Sequence, residues 1–241
     1  MTWEDDAIVH ALEEAPRESC GLVVVISGRL QYFPCENMSD DEEEFTLNPE
    51  HWARCEDEGE IRYVVHSHPT TGPELSIADK VCCEKGDLEW RVVNPFKKSW
   101  ASYKPCGYSA PLIGRQWVWN VTDCWTLVRD WFGEQGIKLR DWERTTTPEE
   151  FERRPYFDDC WKETGFYELE EDEQLQKGDC LLMGLTGVKP DHMAVYLGNG
   201  DILHHLRARL SSRDVYSGYL QKRTIRRIRH YDIDKSASRK C

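Results

Sequence analysis

Ile61-Arg62-Tyr63-Val64-Val65-His66-Ser67-His68-Pro69 is a β-rich run halted by a proline, and it carries two imidazoles one residue apart. Side chains on a strand alternate with period two, so His66 and His68 point to one face and present two nitrogen ligands together. A loop with Gly72 and Pro73 leads to a helix expected from Ser76, and half a turn of that helix could return Asp79 toward the pair. Three protein ligands plus water is the composition of a catalytic zinc site rather than a closed structural one. Zinc would lower the pKa of that water toward neutrality, and a nearby carboxylate would serve as general base. The same residues carry a plainer reading: Ser76 and Asp79 have the spacing of a capping box, and a His pair ahead of a proline can be mere surface.

Upstream, Gly21-Leu-Val-Val-Val-Ile-Ser27, closed by Gly28, reads as a strand, and a short amphipathic helix with Ile8, Val9 and Leu12 as its apolar residues is expected to end before Pro16. Asp40 to Glu44 is five consecutive acids, expected as an exposed loop without chemistry. Downstream, Asn94 to Gly114 loses its period and collects Pro95, Pro105, Gly107 and Pro111, which predicts a linker between a domain over residues 1–100 and a second over 101–235, with a tail at 236–241. Residues 143–174 are polar and acidic and suggest no clear order. From Gly178 the chain turns β: Cys180-Leu-Leu-Met183, then Met193-Ala-Val-Tyr-Leu197, a Gly198-Asn-Gly-Asp201 turn and Ile202-Leu-His204.

Beyond the linker, Cys124, Leu127, Val128, Trp131 and Phe132 form the stripe of an amphipathic helix, directly after Asn120, Thr122 and Asp123, three residues suited to N-capping. Cys124 is therefore expected at a helix N-terminus, where the macrodipole and free backbone N–H groups favour thiolate and can hold a tetrahedral oxyanion. His192 and His204 flank the hairpin turn, and strand pairing would bring them together, one as general base and the other fixing its tautomer. The competing reading of Cys124 is a core thiol that opens an apolar stripe. Alternation puts His205 on the opposite face from His204.

The net charge of −13 comes from 44 acidic and 31 basic residues, and residues 1–100 hold 22 of the acids against 9 bases. An acidic N-terminal block disfavours nucleic acid as a partner, and the one strong basic cluster, Lys222, Arg223, Arg226, Arg227 and Arg229, reads as a solvated face. No apolar run approaches the roughly 18 residues needed to cross a bilayer. The start, Met1-Thr-Trp-Glu-Asp-Asp6, is acidic where a signal peptide would be basic, so synthesis in the cytoplasm without membrane insertion is expected. The ten cysteines form no CxxC pair and are expected to stay reduced.

His66-Ser67-His68, seven residues, Ser76, two residues and Asp79 resemble the JAMM motif of the MPN metalloprotease family, and Pro16-Arg-Glu18-Ser-Cys-Gly-Leu22 matches its glutamate ahead of the first long strand. The resemblance implies His66, His68 and Asp79 as Zn2+ ligands, Glu18 as base and Ser76 as oxyanion stabiliser. Asp123-Cys124-Trp-Thr-Leu-Val128, Leu175-Gln-Lys-Gly-Asp179 and His192-Met-Ala-Val-Tyr-Leu-Gly-Asn-Gly200, with His204 twelve residues after His192, are similar to the NlpC/P60 family of papain-like peptidases. That resemblance implies Cys124 as nucleophile, His192 as base and His204 as orienting residue. Trp125 stands where that family usually has Ser and Asn120 where Gly is common, and both are expected to shape the pocket beside the thiol. The fold implied is α+β in two domains, an MPN/JAMM, cytidine-deaminase-like α/β sandwich followed by a papain-like NlpC/P60 domain.

The two domains in one chain resemble the tail assembly proteins of lambda-like phages. This implies phage tail-tip proteins as partners, peptidoglycan stem peptides as the substrate of Cys124, cut next to D-γ-glutamyl-diaminopimelate, and action at the tail tip and in the periplasm. Two other roles stay open: an assembly factor whose domains do not catalyse, or a JAMM isopeptidase acting on a phage or ubiquitin-like protein.

Overall fold

The computed structural model describes residues 2–142, 144–145, 147–153 and 156–233, so the tail at 236–241 lies outside the described residues. The chain is α+β and divides into two compact units, Met1–Ser109 and Ala110–Cys241.

The first unit is built on a five-stranded sheet of order β2-β1-β3-β4-β5, with β1 at Cys20–Ile26, β2 at Arg29–Cys35, β3 at Glu60–Ser67, β4 at Glu89–Asn94 and β5 at Ser99–Tyr103. The apolar run in β1 is continuous because both of its faces are covered. Leu22 and Val24 pack on the side that holds Cys55 of α2 (Pro49–Glu58), while Val23 and Val65 pack with Ala7 of α1 (Trp3–Glu14). Among the described residues only β3 and β4 run parallel, and a parallel pair needs a crossover, which is supplied by the segment holding α3 (Ile77–Cys83). The loop that leaves β3 therefore lies at the carboxyl end of the parallel pair, where open α/β sheets commonly place their sites.

Two expectations change here. Helix α1 buries Ala7 and Ala11 and leaves Val9 and Leu12 exposed, so it packs on the sheet through its alanines and Trp3 rather than through Val9 and Leu12. Asn94 to Gly114 is not one linker. Its first ten residues are the end of β4, a turn and β5, so a boundary after residue 100 would divide a strand. Glu84 then accepts from Tyr103 Oη and the N–H groups of Cys106 and Gly107, and ties the chain to the first unit. Pro95 and Lys98 belong to a tight hairpin turn, which has the same composition as a linker.

In the second unit α4 (Cys124–Glu134) packs against an antiparallel sheet of order β10-β9-β8-β7-β11-β6. The strands are β6 (Phe166–Glu168), β7 (Cys180–Met183), β8 (His192–Gly198), β9 (Asp201–His204), β10 (Ser212–Val215) and β11 (Thr224–His230). Between α4 and β6 lie α5 (Pro148–Arg153), α6 (Tyr156–Cys160) and a 3-10 turn; α7 (Tyr219–Arg223) precedes β11. Asn199 and Gly200 both have positive φ, as a two-residue β8–β9 hairpin turn requires. The basic cluster is not a solvated face. It lies largely in β11, an interior strand, where Arg229 forks onto buried Asp179, Arg226 pairs with Asp158 and Glu168, and Arg227 binds the Glu170, Glu171 and Glu173 carbonyls.

Candidate active sites

Four side chains from three parts of the first unit meet beyond the end of β3. Pairing of β1 with β3 sets Cys20 opposite His66, so Glu18, two residues earlier, comes beside His68, two residues later. His66 Nε2 lies 3.2 Å from His68 Nε2 and 3.3 Å from Asp79 Oδ1; His68 Nε2 lies 3.4 Å from Asp79 Oδ2 and 3.5 Å from Glu18 Oε1. Donor atoms 2.0–2.1 Å from a tetrahedral cation are about 3.3 Å apart, so these spacings fit such an ion. Glu18, His66 and His68, all buried, each offer a ligand atom within 4.8 Å of the others.

The surroundings favour the same use. A carbonyl can only accept, so His68 Nδ1, 3.1 Å from the Gly72 oxygen, carries that ring's proton and leaves Nε2 bare for a metal. Asn94 holds the turn after β3 by donating to the His68 and Thr71 carbonyls at 3.0 and 2.6 Å. The His66 ring stacks on Phe45 at 4.6 Å. Burial lowers the His66 pKa against the pull of Asp79. Burial also opposes ionisation of Asp79, but the two imidazoles outweigh it and hold that carboxyl far below its usual range. Glu18 is pushed up to about 9, first by burial, then by Asp79 and by Glu44, Glu43 and Asp41. The acidic loop is thus mostly exposed but not idle: its Glu42 carbonyl accepts from the Glu18 N–H at 3.0 Å, and its charges act on the Glu18 carboxyl.

The capping-box reading of Ser76 and Asp79 holds, and it leaves the Asp79 carboxylate facing the imidazoles. Ser76 Oγ accepts from the Asp79 N–H at 3.0 Å, and Asp79 Oδ2 accepts from the Ser76 N–H at 2.7 Å, a complete capping box. The box fixes the carboxylate whose oxygens face both imidazoles.

In the second unit Asp123 caps α4 and is itself held by Asn120 N–H, Thr126 N–H and Arg144, which fixes Cys124 as the first helical residue. Asn120 has φ +62, a left-handed backbone that suits glycine and that Asn tolerates. Trp125 turns into the core, stacked on Trp142 at 4.3 Å with Nε1 on Asp141. Pairing of β8 and β9 brings His192 Nε2 to 3.3 Å from His204 Nδ1. His204 Nε2 continues to Asp214 Oδ2 at 2.7 Å. Asp214 is the residue that sequence reasoning missed; only the pairing of β10 with β9 could have pointed to it. His205 is fully buried, with Nε2 on the Arg209 carbonyl.

The expectation of a resting thiolate is not met. Burial pushes the Cys124 thiol up to about 12, Asp123 adds to this, and the Met193 and Trp125 N–H groups and Arg144 only partly oppose it. Burial, with His204 and His205, lowers His192 to about 3. At neutral pH the two groups are thus thiol and neutral imidazole. Among the described residues no hydrogen bond joins Cys124 to His192, and free enzymes often show such contacts loose.

Residues 114–229 match the NlpC/P60 family, and residues 2–119 match the prokaryotic homologs of the JAB domain. Tail tip assembly protein K of Escherichia phage N15 is 37% identical over 237 residues, 95% of this chain and 94% of that protein. The chain belongs to the tail tip assembly protein K family. The namesake of Escherichia phage lambda is 35% identical over 184 residues, 76% of this chain and 89% of that protein. An NlpC/P60 family protein from Bacillus cereus ATCC 10987 is similar in structure with a TM-score of 0.34 at 14% identity, over 91% of this chain and 65% of that one. In this family member the JAB-like match contains Glu18, His66, His68, Ser76 and Asp79, and the NlpC/P60 match contains Cys124, His192 and His204.

Proposed function

We propose that this protein acts at the phage tail tip, in assembly and cell-wall penetration, as a cysteine endopeptidase on peptidoglycan stem peptides with a second, zinc peptidase site. The observation that carries the first activity is a thiol at a capped helix start that accepts from the N–H of Met193, the residue after His192, which is itself paired with His204. Cys124 Sγ attacks the peptide carbonyl while His192 takes the thiol proton, and the carbonyl π pair moves to oxygen. The Cys124 N–H, which lies in the first turn of α4, holds that oxyanion, while the Trp125 N–H stays on the sulfur. His192 then protonates the leaving amine, and water releases the acyl group with His192 as base.

In the first unit His66, His68 and Asp79 would hold Zn2+, which supplies an acidified water and Lewis-acid polarisation when bound. With that ion in place, its positive charge would oppose the acids that raise the Glu18 carboxyl, and Glu18 would be the residue placed to hold the water proton; the Ser76 hydroxyl, whose oxygen already accepts from the Asp79 N–H, would keep its own proton to donate to an oxyanion. Intact murein digested with wild type should release stem-peptide fragments by mass spectrometry, and Cys124→Ala should release none; equal release by both removes the cysteine peptidase. A tail-tip assembly role without catalysis draws on the burial of Cys124, and tails that assemble normally with Cys124→Ala while losing cleavage would separate the two roles.

A further inference from the structure

We infer that Asp214 is a positioning residue that sets the tautomers of both imidazoles and so leaves His192 Nδ1 as the nitrogen that receives the Cys124 proton. Its activity arm rests on the peptidase reading above; its tautomer arm does not. Asp214 stands on β10, an edge strand, with its Oδ2 2.7 Å from His204 Nε2 and 3.4 Å from Ser212 Oγ. A carboxylate has no proton to give, so His204 Nε2 carries one. A neutral imidazole has a single N–H, and His204 Nδ1 is then a bare acceptor. It faces His192 Nε2 at 3.3 Å, so that nitrogen must be the donor. The His192 proton is thereby held on Nε2 and Nδ1 keeps its lone pair. The opposite arrangement would set the His204 Nε2 lone pair against a carboxylate oxygen at 2.7 Å, which is repulsive.

The balance of the step follows. The proton leaves Sγ for His192 Nδ1 as the S–C bond forms, the added charge on His192 is met by the His204 lone pair, and Asp214 stabilises the His204 N–H that faces it. No proton moves to Asp214. When the C–N bond breaks, the same proton leaves Nδ1 for the amine.

The substitutions that test this invert the ordinary ranking. The amide of Asp214→Asn can present N–H to His204 Nε2, which moves the His204 proton to Nδ1, turns the next bond around and leaves His192 Nδ1 protonated. Asp214→Ala leaves water there, which can accept from His204 as the carboxylate does. A packing role predicts the reverse, because Asn conserves shape. Since the side chain next to a catalytic His is worth about 10⁴ when it forces the wrong tautomer, and Asp214 acts one ring further out and is about one-third exposed, we expect Asp214→Asn to lower kcat on murein peptides about 100-fold with KM little changed. Asp214→Ala should lose less, and Asp214→Glu should recover much of the rate.

Nitrogen-15 NMR of the imidazoles reads the tautomers without turnover. In the wild-type protein both His192 and His204 should carry their proton on Nε2, and in Asp214→Asn both should shift to Nδ1. A wild-type His204 protonated on Nδ1, or an Asn variant with unchanged tautomers and nearly full kcat, would overturn the inference. Should the Asn variant not fold, the wild-type spectrum still decides it. Should wild type cut no murein, the peptidase reading falls while the nitrogen shifts still test the tautomers.

Discussion

The two candidate sites start from the same parts, a pair of histidines on strand ends and a polar group fixed at a helix start, and reach opposite electrostatics. In the first unit two imidazole nitrogens converge with the carboxyls of Asp79 and Glu18, and burial, with the neighbouring acids behind it, pushes the Glu18 pKa up. In the second unit the two imidazoles meet each other, the carboxyl of Asp214 reaches only the outer one, His204, and burial holds His192 neutral. The placement of the carboxyls marks the difference: Asp79 faces both converging imidazoles, as a cation site would need, whereas Asp214 reaches only His204 and stands one ring away from His192, which is left a neutral base.

The largest effect that could break this comparison is metal binding. Wild type should carry about one zinc per chain, and His68→Ala should lose nearly all of it, read by elemental analysis, while His192→Ala keeps it. With free zinc at about 1,000 times Kd, the metal would add roughly 4 kcal/mol to the first unit, which chelation should remove without shifting the second unit's unfolding. Zinc retained by His68→Ala, or never bound by wild type, would reduce the cluster to its capping box.

A second prediction sharpens the neutral side of the comparison. With its thiol pushed up to about 12, Cys124 should be alkylated by iodoacetamide more slowly than exposed Cys106 at pH 7, and its rate should still be rising at pH 10. Peptide mapping reads both sites, and a plateau for Cys124 below pH 8 would mean a resting thiolate.

The smallest effect separates the two jobs of the capping box. Ser76→Ala should cost about 1 kcal/mol of the first unit's stability by denaturant titration and leave its zinc bound. Asp79→Ala should lose both.

What the sequence made legible follows from how local each signal is. β3, the helix behind Ser76 and the turn at Asn199 are set by neighbours within a few residues, and each stands where the pattern put it. Glu18 came only from a family resemblance, because a strand pairing across 46 residues sets it beside His68. Asp214 was out of reach for the same reason, as its meaning appears only when β10 pairs with β9. β11 was hidden by its arginines, which look like surface until Asp158, Glu168 and Asp179 are brought to them. The β4–β5 turn was hidden by Pro95 and its lysines, which serve a hairpin as well as a linker.

The claim that this chain holds two chemically separate sites is tested most directly by muropeptide mass spectrometry of one murein preparation digested by wild type, wild type with a chelator, and Cys124→Ala. Two separate sites predict the same Cys124-dependent fragments with and without the chelator, and their loss in Cys124→Ala. Fragments that vanish with the chelator, or that persist in Cys124→Ala, would contradict it.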